Sequence, residues 1–374
     1  MKIGILTLPL HTNYGGILQA YALQTVLERM GHDVVVFDTS KRISMPMWKY
    51  PFAFVKRCIR KYVFRKPIRI FYEKWYNETY SILSQHTQRF INKYINRLEI
   101  ASFSSLQKDD FDVLIVGSDQ VWRPMYFCPM FRTEIENAFL SFADTWVVKR
   151  IAYAASFGSE NWEYNSEQTD RISELIKKFD AVSVRETLGV QMCKSRLNID
   201  VAHVLDPTML LSKEDYMNLI RASDVKQSRG NLLCYILDET EEKNDIINYI
   251  AEQKGLSPFY VNSNIESLTM SFTDCMQPAV ESWLRGFYDA DFVVTDSFHA
   301  CVFAILFQKP FIAVGNKERG MARFYSLLDL FGLRQCLITE VSEIKWLEID
   351  WDAIFVTMQQ ERARATLFLH NALF

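Results

Sequence analysis

The chain alternates short, nearly unbroken apolar runs with longer stretches in which apolar residues recur every three or four positions. In the first half the runs are KIGILTL, DVVVFD, DVLIVGSD, RIAYAASFG and DAVSVRE; in the second they are LLCYILD, SPFYVN, DFVVTDS and PFIAVG. Helical periodicity falls between them, over Leu18 to Met30, Glu167 to Phe179, Glu241 to Gln253, Pro278 to Tyr288 and Ala300 to Phe307. Val/Ile/Leu-rich strands alternating with amphipathic helices predict parallel sheets covered on both faces. Two such series predict an α/β protein of two doubly wound, Rossmann-like domains facing a cleft. Their expected division lies near VLDPTMLLSKEDY, where Pro207 closes a strand and Ser212 is placed to cap a new helix. The expected domains are 1–208 and 209–374, the latter carrying a C-terminal helix.

Ligands of doubly wound sheets bind beyond the carboxyl ends of the strands, so the loops after the strands are where chemistry is sought. After the first strand comes HTNYGG, where Asn13, Tyr14, Gly15 and Gly16 precede the first helical pattern. Glycines there let backbone approach a ligand, and helix-start N–H groups favour an anion. The alternative, a tight turn and nothing more, is equally open from this stretch alone. After DVLIV, a Gly117-Ser118 turn presents Asp119 and Gln120. Asp119 can take a proton from a hydroxyl, or merely cap the next helix. After DFVV, Ser297 is the expected cap of a helix whose first turn holds Phe298 and His299, beside an anion-favouring helix end. Arg185 ends DAVSVRE, and Lys317, Arg319 and Arg323 follow PFIAVG. Arginine forks suit carboxylate and phosphate, so a small polyanion is the matching ligand.

Composition narrows the class. With 374 residues, 49% hydrophobic, the chain can bury a large core, and a net charge of −3 gives no general attraction to nucleic acid. Seven scattered Cys, without CxxC or Cys/His spacing, read as reduced thiols of a cytoplasmic protein rather than a metal site. No apolar run approaches the ~18 residues that span a bilayer, and no signal peptide is expected.

One stretch belongs to neither sheet. Residues 49–74 hold nine Lys/Arg against Glu73 alone, interleaved with aromatic residues, within an expected helical insertion over about residues 44–100. Phe52, Val55, Ile59 and Tyr62 recur at helical spacing, with Lys56, Arg57, Arg60 and Lys61 largely opposite. Such an amphipathic basic helix suits an anionic membrane surface, contacted through residues 48–75. A helix packed on the first domain with a solvated basic face is the competing reading.

Taken in order, NYGGILQAYALQ, DVLIVGSDQVW, AYAASFG, SVRE, VLDPT, TDSFH with KPFIAV, and KERGMARF resemble the polysaccharide pyruvyl transferase family. The resemblance runs from residue 1 to about 335. It implies a glycosyltransferase-B-like fold and transfer of pyruvyl from phosphoenolpyruvate to two hydroxyls of a sugar, giving a cyclic ketal. It matches Arg185 to a donor-binding arginine and His299 to the histidine of the donor site. Relatives often carry Arg where this chain has Ser297 or Phe298. The chemistry needs an acid near the donor, assigned to His299, and a base near the acceptor, assigned to Asp119, with no obligatory redox cofactor or metal. The resemblance further implies a galactose acceptor on a polyprenyl-diphosphate-linked oligosaccharide at the inner face of the membrane, as in capsule assembly. A nucleotide-sugar glycosyltransferase of the same fold is the alternative, although TDSFH offers no Glu pair for a ribose. A non-catalytic membrane adaptor is a second alternative, which leaves Asp119, Arg185 and His299 without a purpose.

Overall fold

The computed structural model of the protein describes residues 1–40, 45–66, 68–263, 275–315, 320–346 and 348–374. Seven strands form the first sheet: β1 (Lys2–Leu6), β2 (Asp33–Asp38), β3 (Arg97–Glu99), β4 (Val113–Val116), β5 (Lys149–Ala155), β6 (Ala181–Val184) and β7 (Ala202–His203). Five form the second: β8 (Leu232–Tyr235), β9 (Pro258–Tyr260), β10 (Phe292–Thr295), β11 (Phe311–Val314) and β12 (Leu337–Ile338). Every pairing is parallel. The central strands β4, β8, β10 and β11 are buried at every residue, as parallel strands covered on both faces must be. The expected pair of doubly wound domains facing a cleft is therefore the architecture found.

Around the first sheet lie α1 (Tyr14–Arg29), α2 (Tyr50–Cys58), α3 (Tyr72–Leu83), α4 (Gln85–Tyr94), α5 (Pro124–Phe131), α6 (Ser166–Ile176) and α7 (Thr187–Met192). With the second come α8 (Lys213–Arg221), α9 (Glu241–Lys254), α10 (Val280–Asp289), α11 (Phe298–Leu306) and α12 (Ala322–Leu330), and α13 (Trp351–Leu373), expected with the second domain, ends the chain. Ser212 caps α8 through a reciprocal bond pair with Asp215. The last helix, α13, returns to the first sheet: Lys149 Nζ donates to the Leu373 carbonyl at 2.7 Å, and Arg362 donates to the Leu211 carbonyl at 2.7 Å.

Strand order decides where a ligand can sit. The first sheet runs β3-β2-β1-β4-β5-β6-β7 and the second β12-β11-β10-β8-β9. The chain thus reverses direction of winding between β1 and β4 and again between β8 and β10. Crevices open at the carboxyl ends of such strand pairs. Those ends carry Leu8, Pro9, His11 to Asn13, Asp119, Gln120, Leu237 and Asp296 to His299, which face one space between the two sheets.

Helices α2 and α3 form the expected insertion. Arg57 pairs with Glu73 through two contacts of 2.7 Å and also donates to the Ile70 carbonyl. Tyr72, Tyr76 and Leu83 bury against Cys275 of the second half. The body of α2 and the turn Ile59–Val63 that extends it bury no residue at all. No helix among the described residues is long and apolar enough to cross a membrane.

Candidate active site

A cavity of about 440 Å³ lies between the sheets, lined from one side by Asn13, Gly15, Gly16, Asp119 and Gln120 and from the other by Ser297, Phe298, His299 and Arg323. Gly15 and Gly16 differ from the sequence expectation in one respect. They form the first turn of α1 rather than a loop before it, with Asn13 as the cap accepting the Gly16 N–H at 3.3 Å. The reason is contact across the cleft. A Cβ on Gly15 would lie 2.1 Å from His299 Nδ1, so no other residue admits the imidazole there; a Cβ on Gly16 would lie 3.6 Å from Asp119 Oδ2. The glycine pair therefore receives His299 and Asp119 on adjacent residues.

The Gly117 turn is imposed by packing as well. Gly117 has φ +142°, and a Cβ there would meet the Tyr153 carbonyl at 1.9 Å. Asp119 follows with φ +60°. It caps nothing, since α5 begins only at Pro124 with Arg123 as its cap residue. Its Oδ1 instead faces Arg185 Nη2 at 3.3 Å. Gln120 lines the cavity and accepts from Arg123 Nη1 at 3.3 Å.

On the opposite wall Ser297 is the cap residue of α11, as expected, and its own N–H donates to Thr295 Oγ1 at 3.0 Å. His299 is the second residue of that helix. Asp296, just before, is structural: it accepts from the Leu237 and Asp238 N–H groups and from Lys243 Nζ at 2.7, 3.1 and 2.7 Å.

The basic residues divide. Arg185 does not reach the cavity; its side chain has no exposed surface and donates through Nη1 to Asp206 at 2.7 Å, with Glu186 at 3.9 Å. Burial alone would lower its pKa, but Asp206, Asp119 and Glu186 together raise it. Arg323 does line the cavity. Burial and then the neighbouring Arg185 charge push its guanidinium down to about 10. Both guanidinium groups lie against the Phe298 ring, at 4.7 and 5.8 Å from its centroid. Lys317 and Arg319 lie outside the described residues. Tyr14, expected at the loop, is buried beside the cavity: its hydroxyl donates to the Pro278 carbonyl at 2.8 Å and its ring stacks on Trp283. It joins the two halves instead of facing a ligand.

Two carboxylates were not among the expected site residues. Glu186 Oε1 accepts from Ser156 Oγ and the Phe157 N–H at 2.8 and 3.0 Å, which fixes the AASFG turn behind Gln120. Asp206 Oδ1 accepts the Thr208 N–H and hydroxyl at 3.0 and 2.6 Å, while Oδ2 meets Arg185 and lies 3.5 Å from His299 Nε2. The signal in the sequence was an Asp before Pro at a strand end, which reads equally well as a turn.

Burial would raise the Asp206 pKa, but the His299 contact and charge, Arg185 and Thr208 outweigh it and hold the carboxyl far below the usual range. Unfolded, the same group titrates near ~3.9. At pH 3–4 the unfolded chain thus binds a proton there that the folded one does not. The stability that Asp206 contributes is complete above about pH 5 and is lost as pH falls through the unfolded value toward the folded one. The urea midpoint is expected to decline from pH 5 to pH 2; a flat midpoint across that range would show Asp206 to be uncharged in the fold.

Nucleophilic thiol chemistry has no support here. None of the seven Cys is in a disulfide, and burial pushes Cys193 and Cys234 up to about 12 and Cys128 and Cys336 up to about 11. No cluster of three or more His, Cys, Asp or Glu able to hold a metal occurs among the described residues.

A family model described as polysaccharide pyruvyl transferase matches residues 13–318. No curated protein matches. Among solved structures, UDP-GlcNAc 2-epimerase from Methanocaldococcus jannaschii is 12% identical, with 96% of this chain and 92% of that chain covered and a TM-score of 0.47. UDP-GlcNAc 2-epimerase from Neisseria meningitidis, solved with UDP-GlcNAc, is 9% identical over 100% and 94%, with a TM-score of 0.46. An Anabaena protein solved with UDP and glucose is 10% identical over 98% and 95%, also at 0.46.

Proposed function

Because the chain belongs to the polysaccharide pyruvyl transferase family, we propose that it moves pyruvyl from phosphoenolpyruvate onto two hydroxyls of a sugar, releasing phosphate and closing a cyclic ketal. Membership by itself supports pyruvyl transfer to polysaccharide in general. The finer reading is supported by one observation above all: His299, Asp119 and Arg323, contributed by both halves, line a single cavity at the starts of α1 and α11.

Phosphoenolpyruvate carries a carboxylate and a phosphate. Arg323 and the N–H groups at the helix starts suit those anions, and a ligand charge relieves the repulsion between the two arginines flanking Phe298. His299 protonates the methylene carbon, leaving an oxocarbenium-like centre at the adjacent carbon. A sugar hydroxyl attacks that centre and gives its proton to Asp119. Phosphate then departs with the C–O bonding pair, and the second hydroxyl attacks the same carbon, gives its proton to the now neutral His299 and closes the ketal. The sequence of steps requires no redox cofactor. Purified protein incubated with phosphoenolpyruvate or with nucleotide sugars, each with sugar acceptors, separates the readings. Phosphate release only with phosphoenolpyruvate is expected, and release or transfer only with nucleotide sugars would overturn the donor assignment.

The acceptor is read as galactose in a polyprenyl-diphosphate-linked oligosaccharide, met by a cytoplasmic enzyme bound peripherally to the inner membrane face. The exposed insertion supports this. Phe52, Tyr62, Val63 and Phe64 are 65–74% exposed, flanked by Lys56, Arg60 and Lys61. Anionic lipid attracts each basic residue near its surface by about 1 kcal/mol, and aromatic rings settle at headgroup depth. Arg57 is turned inward to Glu73 and belongs to the fold, so a charge reversal must leave it alone. The triple variant K56E/R60E/K61E is expected to stop sedimenting with anionic liposomes at low salt while transferring normally to a soluble sugar. If the unaltered protein does not sediment with them, the membrane reading fails.

A further inference from the structure

We infer that Asp206 is the positioning residue for His299, and that Arg185 serves as the shared cation of Asp206 and Asp119 rather than as a ligand of the donor. The inference rests on the reading of His299 as the proton donor to phosphoenolpyruvate. Its geometry comes from three segments that meet only in the fold.

His299 Nε2 is buried and has no hydrogen-bond partner among the described residues, yet Asp206 Oδ2 lies 3.5 Å away. An ionised carboxylate only accepts, so the nitrogen that faces it must carry a proton. Asp206 is kept ionised by Arg185 at 2.7 Å and by both Thr208 donors, and Ser118 Oγ adds a longer contact at 3.4 Å. The carboxylate is thus fixed by four donors, and its Oδ2 faces the imidazole. The opposite ring nitrogen, Nδ1, lies over Gly15, and both residues line the cavity. With Nε2–H directed at Asp206, an imidazolium has its Nδ1 proton to give. When that proton moves to the methylene carbon, the ring is left neutral with Nε2–H still facing the carboxylate at 3.5 Å.

Arg185 completes the arrangement. Through its two terminal nitrogens it touches Asp206 at 2.7 Å and Asp119 at 3.3 Å, and it has no exposed side-chain surface. One guanidinium therefore orients both the carboxylate behind the acid and the base itself. A cation already shared between two buried carboxylates and excluded from the cavity wall is poorly placed to grip a third anion.

The test is Asp206→Asn, with three measurements on the full chain. Nitrogen-15 NMR of the imidazoles, with the His299 signal assigned by its loss in His299→Gln, reads which ring nitrogen carries hydrogen. The native protein is expected to show His299 protonated at Nε2, and the variant to lose that preference. The turnover rate with phosphoenolpyruvate should fall by about 10²- to 10⁴-fold, while donor affinity by calorimetry changes no more than a few-fold. An unchanged rate, or a slowed variant whose His299 nitrogen signature is native, would make Asp206 structural only and overturn the inference. If Asp206→Asn does not fold, the native signature decides: hydrogen on Nδ1 with Nε2 bare contradicts the arrangement. The NMR arm requires no turnover, so it stays informative should the enzyme not use phosphoenolpyruvate.

Discussion

Arg185→Ala is expected to destabilise the protein by about 3–5 kcal/mol, because it leaves buried carboxylates without their cation. Asp206 and Asp119 are each almost wholly buried and both contact Arg185, with Glu186 close behind. A loss of that size is a large share of the ~5–15 kcal/mol that holds a typical domain folded. Arg323→Gln is expected to do the reverse. Its charge is already disfavoured by burial and by Arg185, so the fold should survive or gain slightly. Donor affinity should nevertheless fall on the order of 10- to 100-fold, the worth of a charge-assisted contact. Thermal unfolding and calorimetry with phosphoenolpyruvate, run on both variants, check the pair. A stable Arg185→Ala protein with weakened donor binding would restore Arg185 to the donor site and remove Arg323 from it.

His299→Ala is expected to slow transfer by about 10²- to 10⁴-fold, the range for loss of a positioned general acid, while part of the donor affinity remains. The ring packs on Gly15 across the cleft, so the truncation opens space but strands no charge larger than the one Arg185 already compensates. Asp119→Asn should slow transfer similarly without unfolding the chain. It caps no helix, and an amide can keep a contact with Arg185 through its carbonyl oxygen. Single-turnover phosphate release with saturating donor reads both effects. Near-native rates in His299→Ala would leave the histidine a packing residue between the two halves.

The strands legible from sequence were those written as short, nearly unbroken apolar runs. β2 is found at Asp33–Asp38, the full DVVVFD run, and the core strands β4, β8, β10 and β11 fall inside theirs. The edge strands β3, β7 and β12 had no such signal, because two or three residues paired on one side need no unbroken apolar run. Helix starts were read late for a related reason. α1 begins at Tyr14, four residues before the expected start at Leu18, since Gly15 and Gly16, which face His299 and Asp119, carry no side chain to mark the period, although Tyr14 and Ile17 on either side are buried in the core. The amphipathic insertion was legible, but the inward turn of Arg57 toward Glu73 was not: sixteen residues and a chain reversal separate them.

Local pattern by itself determined the two parallel sheets, the cap positions Ser212 and Ser297, and the strand ends where chemistry collects, because each depends on residues adjacent in the chain. Only the tertiary structure decided which of those ends meet. It brought His299 against Gly15, turned Arg185 away from the cavity to Asp206 and Asp119, and left Arg323 on the wall. These partners lie from 21 to nearly 300 positions apart, and their pairing follows from sheet order and burial. A buried charge must find its counter-charge wherever the fold brings one, and no spacing along the chain records that requirement.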